Sequence, residues 1–143
     1  MSVNEGNDPR ELRVRAELGN LETVLSFIDQ DLESAGCPLK VQMQIDVAAE
    51  EIFVNIAHYA YGPEGGDAII GINVNAESSE AVISFTDSGV EFDPLSRQDP
   101  DVSLSVEERQ IGGLGIYMVK KSMDQVTYKR VADRNILTIR KTW

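Results

Sequence analysis

Three short stretches carry residue types that could do chemistry together. The first is a helical run over residues 47–61, VAAEEIFVNIAHYAY. At ~3.6 residues per turn, Val41, Ile45, Ala48, Ile52, Ile56 and Tyr59 fall on one apolar arc, and Val47 and Val54 on a second. Glu51, Asn55 and His58 lie between the arcs, while Asp46 and Glu50 turn away toward an expected solvated side. Burying a carboxylate and an amide costs free energy unless something pairs with them, so either the protein or a ligand must supply partners. Asn55 offers an oxygen suited to Mg²⁺, a hard cation that keeps waters and phosphate oxygens as its other ligands. Glu51, one turn earlier, can take a proton from an attacking hydroxyl or water. The plain alternative is a polar pair satisfied by neighbouring backbone.

The second stretch is Asp87-Ser88-Gly89. Asp87 shares the parity of Ala81, Ile83 and Phe85, so it points inward at a strand end. There it can accept a hydrogen bond from an exocyclic amine, and Gly89 lets a flat ring approach the backbone. Asp-Ser-Gly is equally a common Asx turn. The third stretch is Gly112-Gly113-Leu114-Gly115, opening into an apolar helix. Exposed N–H groups at a helix start form an anion cradle, although a glycine cluster also makes an ordinary loop-to-helix turn. No Lys-Ser/Thr pair follows, as a Walker A loop requires, and no strand immediately precedes it, as a dinucleotide fingerprint requires.

The elements that must position these residues follow from periodicity. Leu12, Val14 and Ala16 alternate with Arg13 and Arg15 as a short strand. Leu21, Val24, Leu25, Ile28 and Leu32 make a helical stripe with Asp29, Asp31 and Glu33 outside it, and Asn20 is a good N-cap type. A second helix spans about 39–61, followed by alternating strands at 68–75 and 81–87 that form a hairpin. A polar stretch with Pro100 reads as a loop up to the glycine cluster. A third helix follows over 116–123, then strands at 126–131 and 136–140 joined at 133–135. The expected fold is an α/β two-layer sandwich, with three helices on one face of a mixed, mostly antiparallel sheet. Residues 1–10 read as a flexible lead-in and 11–143 as a single domain.

Composition narrows the function classes. A net charge of −11 argues against nucleic-acid or anionic-membrane binding. No apolar run reaches the ~20 residues that span a bilayer. One cysteine and one histidine offer no zinc-type ligand set, and the lone cysteine fits a reducing, cytoplasmic setting.

Taken together, the three stretches resemble the ATPase superfamily of gyrase, Hsp90, histidine kinases and MutL (GHKL). Glu51-x-x-x-Asn55 is similar to its N box, Asp87-Ser88-Gly89 to its G1 box and Gly113-Leu114-Gly115 to its G2 box. Within that superfamily the chain is most similar to the stand-alone bacterial anti-sigma-factor serine/threonine kinases, over about residues 12–141. The resemblance implies a Bergerat-type fold binding ATP and Mg²⁺. Asn55 would hold the metal, Glu51 would be the base, and Asp87 would recognise the adenine amine. Gly89 would make room for the ring. Gly113 and Gly115 would cradle phosphates, with Gly112 and Leu114 beside them in the nucleotide-binding set, and Arg109 would be the lid arginine at the γ-phosphate. The implied partners are an anti-sigma-factor antagonist, phosphorylated on serine, a sigma factor, and a second copy in a homodimer. The chain departs from the family pattern at Tyr59, where a histidine is usual, and at Glu91, near a customary Gly or Pro. The alternative implied is a nucleotide-gated protein-binding switch that transfers no phosphate.

Overall fold

The computed structural model describes residues 9–96 and 113–143, with the backbone alone for Gly113 and Leu114. Strand β1 (Arg10–Arg15) is followed by helices α1 (Leu21–Ser34) and α2 (Leu39–Tyr59). The hairpin β2 (Asp67–Asn75) and β3 (Glu80–Asp87) comes next, then α3 (Gly113–Ser122), β4 (Gln125–Val131) and β5 (Arg134–Thr142). The five strands form one sheet in the order β1-β2-β3-β5-β4. Among the described residues every pair is antiparallel, so the sheet is antiparallel as mostly expected and has no parallel pair to make it mixed. The α/β sandwich with three helices is as the periodicity predicts.

Strand alternation builds the core. Ala81, Ile83, Phe85 and Asp87 of β3 are buried while the residues between them are half-exposed. Ile70 and Ile72 of β2 and Leu137 and Ile139 of β5 face the same way, against Val24, Ile28 and Leu32 of α1 and Ile45, Ile52 and Phe53 of α2. Each such side chain contributes about 1.5–3 kcal/mol by leaving water. Helix α1 stops at Gly36, whose φ of 75° lets Gly36 N–H reach the Glu33 carbonyl and Cys37 N–H reach the Leu32 carbonyl. This is a left-handed helix end that glycine suits.

Local differences from the sequence expectation have physical causes. Asn20 does not cap α1 with its side chain; its amide instead donates to the Arg15 carbonyl at 2.9 Å. A 3-10 turn over Leu18–Asn20 already leads the chain into the helix. Helix α3 begins at Gly113, inside the glycine cluster rather than after it. Strand β5 begins at Arg134, because Ala132 and Asp133 alone make the turn, with φ of 52° and 64°. Asn135 is therefore a strand residue.

Candidate functional site

The α2 helix, the end of β3 and the start of α3 bring Glu51, Asn55, Asp87 and Gly115 to one side of the molecule. Asp87 ends β3, with Asn135 of β5 as its register partner. Both are buried, at 6% exposure each. Asp87 Oδ1 accepts from the Asn135 side-chain amide at 2.9 Å and from Gly89 N–H at 2.9 Å. The Asx-turn reading of this loop is therefore satisfied, yet only one carboxylate oxygen is used. Oδ2 has no protein donor among the described residues. Asn135 is itself held, accepting from the Tyr128 hydroxyl at 2.6 Å and donating to the Val90 carbonyl at 2.7 Å. Arg130 adds a bond to the Gly89 carbonyl at 2.9 Å. Asp87 thus stands on a cross-strand scaffold that fixes its orientation.

In front of Asp87 lies a hollow of ≈ 480 Å³, open mouth included, whose wall includes Ile52, Ile56, Phe85, Ile116 and Leu137. Asp87, Asn55 and Asn135 supply its polar points. A mostly apolar slot with a few convergent polar groups is the form of a small-molecule site. The absent side chain of Gly89 serves the chain's own packing: a Cβ there would come within 2.1 Å of the Ala60 carbonyl oxygen. Val90 N–H also bonds that carbonyl, at 3.0 Å. The strand end is thereby locked to the end of α2.

Asn55 and Glu51 follow along α2. The Asn55 side-chain nitrogen is 3.4 Å from Glu51 Oε1, which directs its amide oxygen elsewhere. Burial raises the Glu51 carboxyl above its ordinary range, the Asn55 contact opposes this, and neighbouring Glu50 adds to it. Gly115 of α3 packs directly on Glu51, and a Cβ there would fall 1.9 Å from Oε1. The bare backbone of Gly115 thus leaves the Glu51 carboxylate the space it occupies. The start of α3 brings its helix N-terminus to this end of the site, where its dipole favours anions. Gly112 and Arg109 lie outside the described residues, as does the Leu114 side chain.

Two expectations about α2 are corrected. Val47 is 66% exposed, so Glu51 is walled by α3 rather than by a second apolar arc. Asp46 is not solvated: it is half-buried against Asp29 of α1, and one oxygen of each carboxyl is sealed from water without a hydrogen-bond partner. Glu50 is exposed, as its helical angle predicts; His58 and Tyr59 are exposed as well, so the polar stripe and the apolar arc stop short of the helix end. Sequence reasoning missed Asn135, Tyr128 and Arg130. Their signal was parity, since Asn135 alternates with Leu137 and Ile139 on the buried face.

Residues 14–141 match the family model of the histidine kinase-like ATPase domain. The chain belongs to that family. A curated relative is the serine/threonine-protein kinase BtrW of Bordetella bronchiseptica, 26% identical over 100 residues, 70% of each chain. Among solved structures, the RsbU and RsbW domains of a Mycobacterium tuberculosis protein superpose with a TM-score of 0.67 at 14% identity. That match covers 94% of this chain and 32% of the longer one, so the chain spans about a third of that protein. The SiaB–SiaC complex of Pseudomonas aeruginosa gives 0.57 at 18% identity, covering 92% of this chain and 89% of the other. These two likenesses show the fold alone, and membership of the histidine kinase-like ATPase family rests on the family model. Among the described residues no helix is long and apolar enough to cross a membrane.

Proposed function

We infer that the protein binds ATP and transfers its γ-phosphoryl group to a serine or threonine hydroxyl of a partner protein. The observation that carries this reading is the order of groups along α2. The apolar hollow with the spare Asp87 oxygen adjoins Ile56 and Ile52, Asn55 follows at its edge, and Glu51 lies beyond. An adenine ring in the hollow would donate its exocyclic amine to Asp87 Oδ2 and extend its phosphates toward Asn55 and the start of α3. Asn55 would hold Mg²⁺ through its amide oxygen. No cluster of three His, Cys, Asp or Glu suits a metal among the described residues, so the cation would take most of its other ligands from phosphate and water. When bound, Mg²⁺ supplies charge neutralisation of the phosphate oxygens.

Glu51 would receive the proton of the acceptor hydroxyl as its oxygen bonds to the γ-phosphorus. The bond from that phosphorus to the bridging oxygen breaks, and ADP leaves. The relative's name, serine/threonine-protein kinase, supports this reaction class. The resemblance to anti-sigma kinases supports an anti-sigma-factor antagonist as acceptor, with a sigma factor and a second copy of the chain as further partners. Gly112, Gly113, Leu114 and Arg109 are proposed for the phosphate end on the same basis.

Calorimetric titration with ATP, with and without Mg²⁺, tests the reading. The wild type should bind ATP. Asp87→Asn should lose most of that affinity, and Asn55→Ala should lose the Mg²⁺-dependent part while keeping its thermal stability. Absence of ATP binding in the wild type would overturn the assignment. Binding without transfer to any acceptor would leave a nucleotide-gated switch.

A further inference from the structure

The nucleotide hollow does not account for the N-terminal half of the α2 stripe. At positions i−4 and i−8 from Glu51, α2 presents Val47 and Met43, 66% and 58% exposed. Facing them, α3 presents Met118, 52% exposed, with Val119 and Ser122 beside it. A groove runs between the two helices, and Glu51 and Gly115 line it together with these residues. Large apolar side chains gathered in one exposed strip mark an interaction surface, and methionines adapt to varied occupants.

Charge and length say what fits. The groove lining includes the carboxylates of Glu50 and Glu51 and, among the described residues, no basic side chain. Like charges across an interface repel, so the occupant is apolar or basic, never acidic. From Met43 to Glu51 the helix rises ~12 Å, the length of three or four extended residues at ~3.3 Å each.

We propose that this groove holds the three or four apolar residues next to the acceptor hydroxyl of the protein substrate, with Met43, Val47 and Met118 as the surfaces that read them. The assignment rests on the kinase reading above. Its strength is continuity, since Glu51 belongs to the groove and stands one turn from Asn55 at the hollow. ATP would occupy the C-terminal half of the α2 stripe and the acceptor segment the N-terminal half, so the hydroxyl and the γ-phosphate meet at Glu51. A basic residue flanking the apolar segment would sit against Glu50.

The test uses the anti-sigma-factor antagonists of the source organism, each purified as an intact protein, with wild type, Val47→Asp, Met118→Asp and Val47→Leu. Both aspartate variants change exposed positions, so melting temperature and ATP affinity should stay at wild-type values. For the antagonist that is phosphorylated, KM should rise about tenfold or more in each aspartate variant, the loss typical of one central interface side chain. The apparent kcat should hold at saturation, and Val47→Leu should keep KM at the wild-type value. Wild-type KM in both aspartate variants would overturn the groove assignment. Antagonist binding is also measured with a non-hydrolysable ATP analogue. Binding without transfer in the wild type, lost in Val47→Asp, would retain the groove and overturn the kinase reading. Binding of no antagonist by the wild type would overturn the groove.

Discussion

Glu51 and Asp46 lie less than two turns apart on α2, and burial raises both carboxyls above the ordinary range. Their surroundings differ in kind. Glu51 meets the amide of Asn55, the bare backbone of Gly115 and an open groove. Asp46 meets another carboxylate, Asp29, across the α1–α2 seam, with Glu33 adding negative charge. The larger displacement belongs to Asp46, pushed up to about 8. A perturbed carboxyl therefore does not by itself mark chemistry; access to a ligand does. Asp46 keeps its proton and can hydrogen-bond Asp29 through it, whereas Glu51 is placed to exchange one.

This contrast predicts opposite consequences at the two positions. The largest effect short of removing Glu51 should come from Gly115→Ala. The new methyl group would displace the Glu51 carboxylate, the flexible end of a side chain, so the fold should tolerate it. Misplacement by about 1 Å can cost ~10²-fold in rate, and single-turnover transfer assays should show such a drop with ATP affinity nearly kept. A smaller effect is expected at the scaffold behind Asp87. Asn135→Ala would leave the buried Asp87 and Tyr128 groups without their partner, costing about 1–3 kcal/mol in urea unfolding. It should weaken ATP binding as well, whereas Tyr128→Phe should cost less than Asn135→Ala on both readouts.

The Asp29–Asp46 seam should show itself as a pH dependence of stability. The unfolded chain releases the Asp46 proton near the ordinary value of 3.8, while the folded chain holds it to about 8. Across that window the folded state binds more protons, so stability falls as pH rises, and the slope vanishes above about 8. Solvent reaches part of the pair and screens it, so the expected loss is about 1–2 kcal/mol rather than the whole shift. Melting temperatures between pH 5 and 8.5 should fall in the wild type, and Asp46→Asn should flatten the slope. The Cys37 thiol is raised chiefly by burial and then by Asp46 and Asp29, so Asp46→Asn should also make it react faster with a thiol reagent at pH 8.

The layers and the meeting of Glu51, Asn55 and Asp87 on one side were legible in the sequence because both follow from short periods. Alternation placed Asp87 inside, and helical angle put Glu51 beside Asn55 and turned Glu50 outward. The long-range partners were harder to see. The helical angle of α2 alone turns Asp46 outward, and only the packing of α1 brings Asp29 against it. Asn135 was hidden because a hairpin turn can take two or three residues, and the shorter turn moves it from loop to buried strand. Gly115 and Gly89 stand out in the sequence, but their tight contacts, with Glu51 and Ala60, depend on distances no spacing rule contains. The exposed Met43–Val47–Met118 strip needed the relative placement of α2 and α3.

The central claim is that Glu51 acts on the reacting hydroxyl while Asp46 holds the helices together. Incubation with γ-labelled ATP, Mg²⁺ and the unphosphorylated candidate antagonist, comparing wild type, Glu51→Gln and Asp46→Asn side by side, tests it most directly. Wild type and Asp46→Asn should label the partner at similar initial rates, and Glu51→Gln should be slower by about 10²–10⁴-fold, the usual share of a general base, with ATP binding retained. Labelling by Glu51→Gln at the wild-type rate would contradict the account.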